Sequence, residues 1–171
     1  PEKAIVNKHS GEGPITVLYL SNMIPSKGYE RLAQSYDRLQ PATQARVRMV
    51  FAGRFEDDRS EREFVRRYCR PGEIEYRGTV VAAEKARLLA ASHIFALPTF
   101  YPPEGQPISI LEAYGAGQVV LTTYQGGIKD IFWDGEKGIV LRRPDPAEIA
   151  AAVEPVCSAE TRQLLIPVAH S

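Results

Sequence analysis

Two carboxylates, Glu104 and Glu112, stand with seven residues between them in the stretch PPEGQPISILEAYGAG, Pro102 to Gly117. Glu104 precedes a proline-started helical pattern and Glu112 falls inside it. A helix entrance attracts anions by itself, because its first N–H groups are unpaired and the macrodipole places partial positive charge there. Two acids serving only as caps would duplicate one another. At about 1.5 Å per residue, Glu112 lies about 7.5 Å along the helix axis from Pro107, comparable to the reach of a diphosphate linker. The bland alternative is that Glu112 faces solvent or pairs with a basic residue. A second stretch, SNMIPSKG, offers Lys27 and Gly28 at another helix entrance, where an ammonium can neutralise a phosphate and glycine lets the backbone approach. The same pair also reads as a surface lysine beside a turn glycine. A third stretch, TTYQGG, carries Gly126 and Gly127, which serve equally as a turn opening a short helix. No GxGxxG or Walker pattern is present.

Other chemistry-bearing residues group less well. His9, His93 and His170 fall in a lead-in, a strand start and a tail, without metal or triad spacing. The arginine-rich DDRSEREFVRRYCR has acids at its start, arginines at its end, and Glu63 four residues before Arg67, as a solvated helix requires. Phe100 and Tyr101 beside the acidic loop could shape a sugar pocket or simply wall the loop. Lys plus Arg and Asp plus Glu number 21 each, so no global field points to nucleic acid or an anionic membrane. An anion site must be built locally. Cys69 and Cys157 are distant in sequence, which fits a reducing compartment, and the cytoplasm is the expected location. The chain starts with Pro1, lacks an apolar run of about eighteen residues and has no signal-peptide h-region, so it reads as a piece of something longer.

The elements that must hold these loops follow from apolar patterning. ITVLYLS (Ile15 to Ser21), VRMVFAG (Val47 to Gly53), IEYRG, HIFALP, QVVLTT and GIVLRR read as six short strands. Between them, Tyr29, Leu32, Ala33, Tyr36 and Leu39 share one helical face, and Ala86, Leu89 and Ala90 share a face of a later helix. DPAEIAAAVEPV reads as a late helix started by Asp145 and Pro146. Alternating strands and helices predict an α/β fold: a Rossmann-like three-layer sandwich whose parallel sheet of about six strands carries helices on both faces. Ligands in such sheets bind outside the carboxyl ends of the strands. All three loops should therefore open on one rim. With 171 residues, 44% of them hydrophobic, one core is expected. Its domain should span residues 15–156, with residues 1–14 a linker or lead-in and 157–171 a terminal helix or tail.

Taken together, the three loops resemble the carboxy-terminal, donor-binding domain of family 4 retaining glycosyltransferases of two-domain GT-B architecture, from about Ile15 to Val156. The most specific part is LPTFYPPEGQPISILEAYGAGQVVLTTYQGG, similar in order and spacing to the family's Pro-Ser, Glu-Gly-Phe-Gly, Leu-Glu-Ala, Gly-x-Pro-Val and Gly-Gly elements. LYLSNMIPSKG resembles the family's first-strand loop, and IEYRGTVVAAEKARLLAASHIFALPT the segment lining the nucleotide base. The resemblance implies transfer of a sugar from a nucleoside diphosphate donor with retention, by positioning and leaving-group stabilisation. Glu104, the active-site acid, would contact hydroxyls of the donor sugar without acting as a nucleophile. Glu112 would contact the ribose, and backbone N–H groups near Ile108 and Ser109 the diphosphate. Lys27, beside Gly28, would add positive charge, and the backbone around Thr79 and Val80 would read the base edge. An acid on each side of the helix entrance then has a purpose: each accepts hydroxyl protons while the entrance holds phosphate.

Three departures accompany the resemblance. Ser21 and Asn22 stand where the family commonly places Gly-Arg, so the diphosphate clamp loses a fork of donors there. The Glu-Gly-Phe-Gly element appears as Glu104, Gly105, Gln106 and Pro107, which removes one backbone N–H at the sugar site. Val119 replaces the usual proline before Val120. The resemblance implies no cofactor beyond the donor itself and no metal. It also implies a preceding acceptor-binding half, through which alone any peripheral membrane association would run, and a fragment inactive by itself. Two alternatives use the same fold: a non-catalytic nucleotide-binding module and a nucleotide-sugar epimerase domain.

Overall fold

The computed structural model describes residues 9, 13–132, 134 and 138–165. Six strands form one sheet: β1 (Ile15–Leu20), β2 (Val47–Ala52), β3 (Ile74–Tyr76), β4 (Ile94–Leu97), β5 (Val119–Thr122) and β6 (Gly138–Val140), in the order β3-β2-β1-β4-β5-β6. Every pairing between them is parallel. The strands are short apolar runs because a sheet covered by helices on both faces has no water-facing side, and β1, β2, β4 and β5 are buried almost throughout. The helices are α1 (Tyr29–Ser35), α2 (Pro41–Gln44), α3 (Asp58–Tyr68), α4 (Ala82–Ala91), α5 (Ile108–Gly115), α6 (Pro146–Val156) and α7 (Ala159–Leu165).

Strand order reverses between β1 and β4, which are hydrogen-bonded neighbours although β2 and β3 intervene in sequence. Loops leaving the carboxyl ends of such a pair diverge to opposite sides and leave a crevice between them. The loops after β1 and β4 flank that crevice here. They are tied together where Phe100 N–H donates to Ser26 O at 2.8 Å, and the loop after β5 joins them where Gly127 N–H donates to Glu104 O at 3.0 Å. Gly126 and Gly127 thus open a short 3-10 helix (Gly126–Asp130) that braces the acidic loop.

Local signals act as the residue types dictate. Asp57 and Asp145 cap α3 and α6 by accepting from the N–H groups of Ser60 and Glu148 at 2.8 and 2.9 Å. Tyr29, Leu32, Ala33, Tyr36 and Leu39 are all buried, as their spacing predicts. The expected face of α4 is corrected: Leu89 is buried and Leu88 packs against the core, whereas Ala86 and Ala90 are exposed. An alanine offers little apolar area, so the two leucines set the rotation of this helix. The expected lead-in lies largely outside the described residues, and the expected tail is described to Leu165, where α7 is the terminal helix; both touch the body. His9 is buried and its Nε2 donates to Gly117 O at 2.7 Å, and Arg162 of α7 donates to His9 O at 3.3 Å.

Candidate functional site

A cavity of about 630 Å³ opens at the carboxyl ends of β1, β2 and β4. Asn22, Lys27, Thr79, Val80, Glu104, Gln106, Ile108, Ser109 and Glu112 all line it, so loops separated by up to 90 positions converge on one space. Gly28 and Gly105 are not part of the lining. Gly28 has φ of 81°, and a Cβ there would stand 2.2 Å from Pro98 O, so this glycine is required for packing the β1 loop against the end of β4. Gly105 is exposed beside Glu104 and nothing lies within 4 Å of where its Cβ would be.

Glu104 is held in a small polar network. Its Oε1 lies 3.2 Å from Lys27 Nζ, and the two side chains are only 5% and 15% exposed. Thr99 Oγ1 donates to Glu104 Oε2 at 2.9 Å, Tyr101 N–H donates to Thr99 Oγ1 at 3.1 Å, and Lys27 Nζ stands 5.4 Å from the Tyr101 ring centre. A carboxylate this buried is retained only with such partners. Its orientation is therefore set before any ligand arrives. Lys27 ends a 3-10 turn (Pro25–Lys27) whose loop is anchored from below, where Tyr19 O–H donates to Asn22 O at 3.0 Å. Burial pushes the Tyr19 phenol far above its ordinary value, so it remains a donor.

Glu112 is paired differently. Lys85 Nζ of α4 lies 2.6 Å from its Oε1, each side chain being about a third exposed. The second oxygen, Oε2, is buried and has no hydrogen-bond partner among the described residues. A buried carboxylate oxygen with free lone pairs is an acceptor for a ligand hydroxyl. Between the two acids, α5 begins at Ile108 with Pro107 as its N-cap and no side chain capping it, and its first turn carries no acid. The early N–H groups of this helix thus remain available to an anion.

Sequence reasoning passed over three residues of this site. Thr99 orients Glu104 from just beyond β4. Lys85 had a local signal, because a cation in the first turn of a helix opposes the macrodipole and calls for a compensating partner. Arg54 follows β2 in a loop that no motif singled out, yet it lines the cavity. Among the described residues no group of three or more His, Cys, Asp or Glu could hold a metal ion, and no helix is long and apolar enough to cross a membrane.

Comparison with known proteins agrees with this architecture. The O-antigen chain mannosyltransferase B of Escherichia coli is 31% identical over 137 residues, covering 80% of this chain and 35% of that protein. The carboxy-terminal domain of the glycosyl transferase group 1 protein LpcC from Francisella tularensis superposes with a TM-score of 0.75 at 16% identity, over 95% of this chain and 85% of that one. Anabaena HepE in complex with UDP-glucose gives a TM-score of 0.69 at 19% identity, over 96% of this chain and 47% of that one. The chain spans about a third of the length of the curated relatives it matches. The sequence pattern described as Glycosyl transferases group 1 matches residues 14–158, nearly the whole chain, and the chain belongs to that family.

Proposed function

We propose that this chain is the donor-binding half of a retaining glycosyltransferase, which takes a sugar from a nucleoside diphosphate and delivers it to an acceptor held by a preceding domain. The observation that carries this reading is the cavity at the β1/β4 crevice, in which Glu104 and Glu112 flank the uncapped start of α5 and Glu112 Oε2 is buried without a partner. In this reading the ribose donates to Glu112 Oε2, and the diphosphate lies over the N–H groups near Ile108 and Ser109. Lys27 shares its charge between Glu104 and the diphosphate. Glu104 accepts from hydroxyls of the donor sugar, with Gly105 and Gln106 beside it, and the backbone at Thr79 and Val80 meets the base. Asn22 faces the diphosphate with a neutral amide.

Catalysis then rests on holding the donor and stabilising the departing diphosphate, for which prearranged N–H groups and cations suffice. Glu104 needs no nucleophilic role. A mannosyltransferase among the relatives and UDP-glucose in a structural neighbour support a nucleotide-sugar donor. Coverage of about a third of the curated relatives supports a separate acceptor-binding half, which would carry any peripheral membrane contact. Cys69 and Cys157 are free thiols, which supports a cytoplasmic setting. Calorimetric titration of the 171-residue chain with UDP, GDP, ADP and their sugar conjugates, run beside a transfer assay, tests the proposal. One-site binding without sugar transfer is expected. Absence of binding to every donor contradicts the site, and robust transfer by the chain alone contradicts the division of labour.

A further inference from the structure

Three cations, Lys27, Arg54 and Lys85, and two carboxylates, Glu104 and Glu112, line the cavity. Both lysines are already committed, Lys27 to Glu104 at 3.2 Å and Lys85 to Glu112 at 2.6 Å. Arg54 is exposed and forms no ion pair among the described residues, so the net positive charge of the cavity resides on its guanidinium. Its place is built into the sheet. The pairing of β1 with β2 continues past the end of β1, with Ser21 N–H donating to Ala52 O at 3.1 Å, and then past both strands, with Met23 N–H donating to Arg54 O at 2.9 Å. That close approach requires glycine at position 53, where φ is 151° and a Cβ would stand 1.8 Å from Ser21 O. Tyr76 O–H fastens the same turn by donating to Gly53 O at 2.8 Å. Arg54 is thereby set beside Asn22, whose amide brings no charge of its own.

We propose that Arg54 is the diphosphate clamp of this chain, its guanidinium supplying the forked, uncommitted positive charge that the two paired lysines do not. The inference rests on the donor-site reading above. A diphosphate brings negative charge on both phosphoryl groups. Drawing Lys27 or Lys85 towards it weakens an existing ion pair, whereas Arg54 gives up only water. A planar guanidinium also donates to two phosphate oxygens at once.

The test is titration of the 171-residue chain with UDP, GDP and ADP and with the matching nucleosides, followed by ligand-observed NMR so that weak nucleoside binding is measurable. For whichever diphosphate the wild type binds, Arg54→Gln should weaken affinity about tenfold, the loss of a charge-assisted hydrogen-bond pair. Nucleoside affinity should be unchanged, Arg54→Lys should fall between, and the salt dependence of diphosphate binding should flatten in Arg54→Gln. Arg62→Gln, which removes the same charge from the exposed surface of α3, should bind as the wild type does. An Arg54→Gln chain that holds the diphosphate as tightly as the wild type overturns the assignment and leaves the donor site standing. Equal losses for nucleoside and diphosphate also overturn it, and a wild type that binds none of the diphosphates overturns this inference together with the donor-site reading.

Discussion

Lys27 Nζ and Glu104 Oε1 lie 3.2 Å apart although their residues are 77 positions apart in the chain. The contact is made at the crevice where the strand order reverses, which brings the loops after β1 and β4 face to face. Both side chains are largely withdrawn from water, so each depends on the other. Lys27→Met should destabilise the fold by about 2 kcal/mol, since it leaves a buried carboxylate with Thr99 as its remaining partner. Lys27→Met combined with Glu104→Gln should recover part of that loss. Urea denaturation of the single and double variants makes the comparison, and a double variant that loses the sum of the two single effects would show that the residues are not coupled.

Lys85 and Glu112 should behave in the opposite way. Their pair is about a third exposed on each side, and such pairs contribute only about 0–1 kcal/mol to stability. Lys85→Met should therefore leave the unfolding midpoint nearly unchanged. It should still weaken nucleoside diphosphate binding, because Glu112 loses the contact that holds its Oε2 in place, and Lys85→Arg should restore most of the affinity. Thermal unfolding and calorimetry on the same samples separate the two effects. A large loss of stability with intact binding contradicts the positioning role.

Gly28 and Gly105, which stand beside Lys27 and Glu104 in the chain, should also part company. Gly28→Ala must force a Cβ to within 2.2 Å of Pro98 O at a φ of 81°, and it should cost about 2 kcal/mol or more of stability. Gly105→Ala meets nothing within 4 Å and should change stability by less than about 0.5 kcal/mol. Guanidinium denaturation of both variants checks this. Equal tolerance at the two positions would mean that the β1 loop does not pack on the end of β4 as described.

Gly28 also shows where sequence reading stops. A Lys-Gly pair at a helix entrance is legible as an anion site, but whether the glycine makes room for a ligand or for Pro98 depends on a strand 70 positions away. The strands were legible because each is a short apolar run, and the face of α1 because its large side chains repeat at helical spacing. The face of α4 was misread because its alanines carry no strong preference for burial. Glu104 and Glu112 were found through the spacing of their block. Thr99, Lys85 and Arg54 were not: Thr99 belongs to no charged pattern although it meets Glu104 five residues on, the partner of Lys85 lies on another helix, and Arg54 reaches the cavity only once the parallel sheet has been assembled.

The role of the two acids offers the most direct test, because a ribose partner and a sugar partner fail differently when removed. Glu112→Ala should weaken a nucleoside diphosphate and its sugar conjugate alike, by about 1.5–3 kcal/mol for a lost charged acceptor. Glu104→Ala should leave the nucleoside diphosphate no weaker, since Lys27 is then freed for the phosphates, and should remove only the additional affinity that the sugar contributes. Calorimetric titration of both folded variants with both ligands is the decisive measurement. The account predicts a loss shared by both ligands at Glu112 and confined to the sugar conjugate at Glu104; equal losses for the two ligands at Glu104, or none at Glu112, would contradict it.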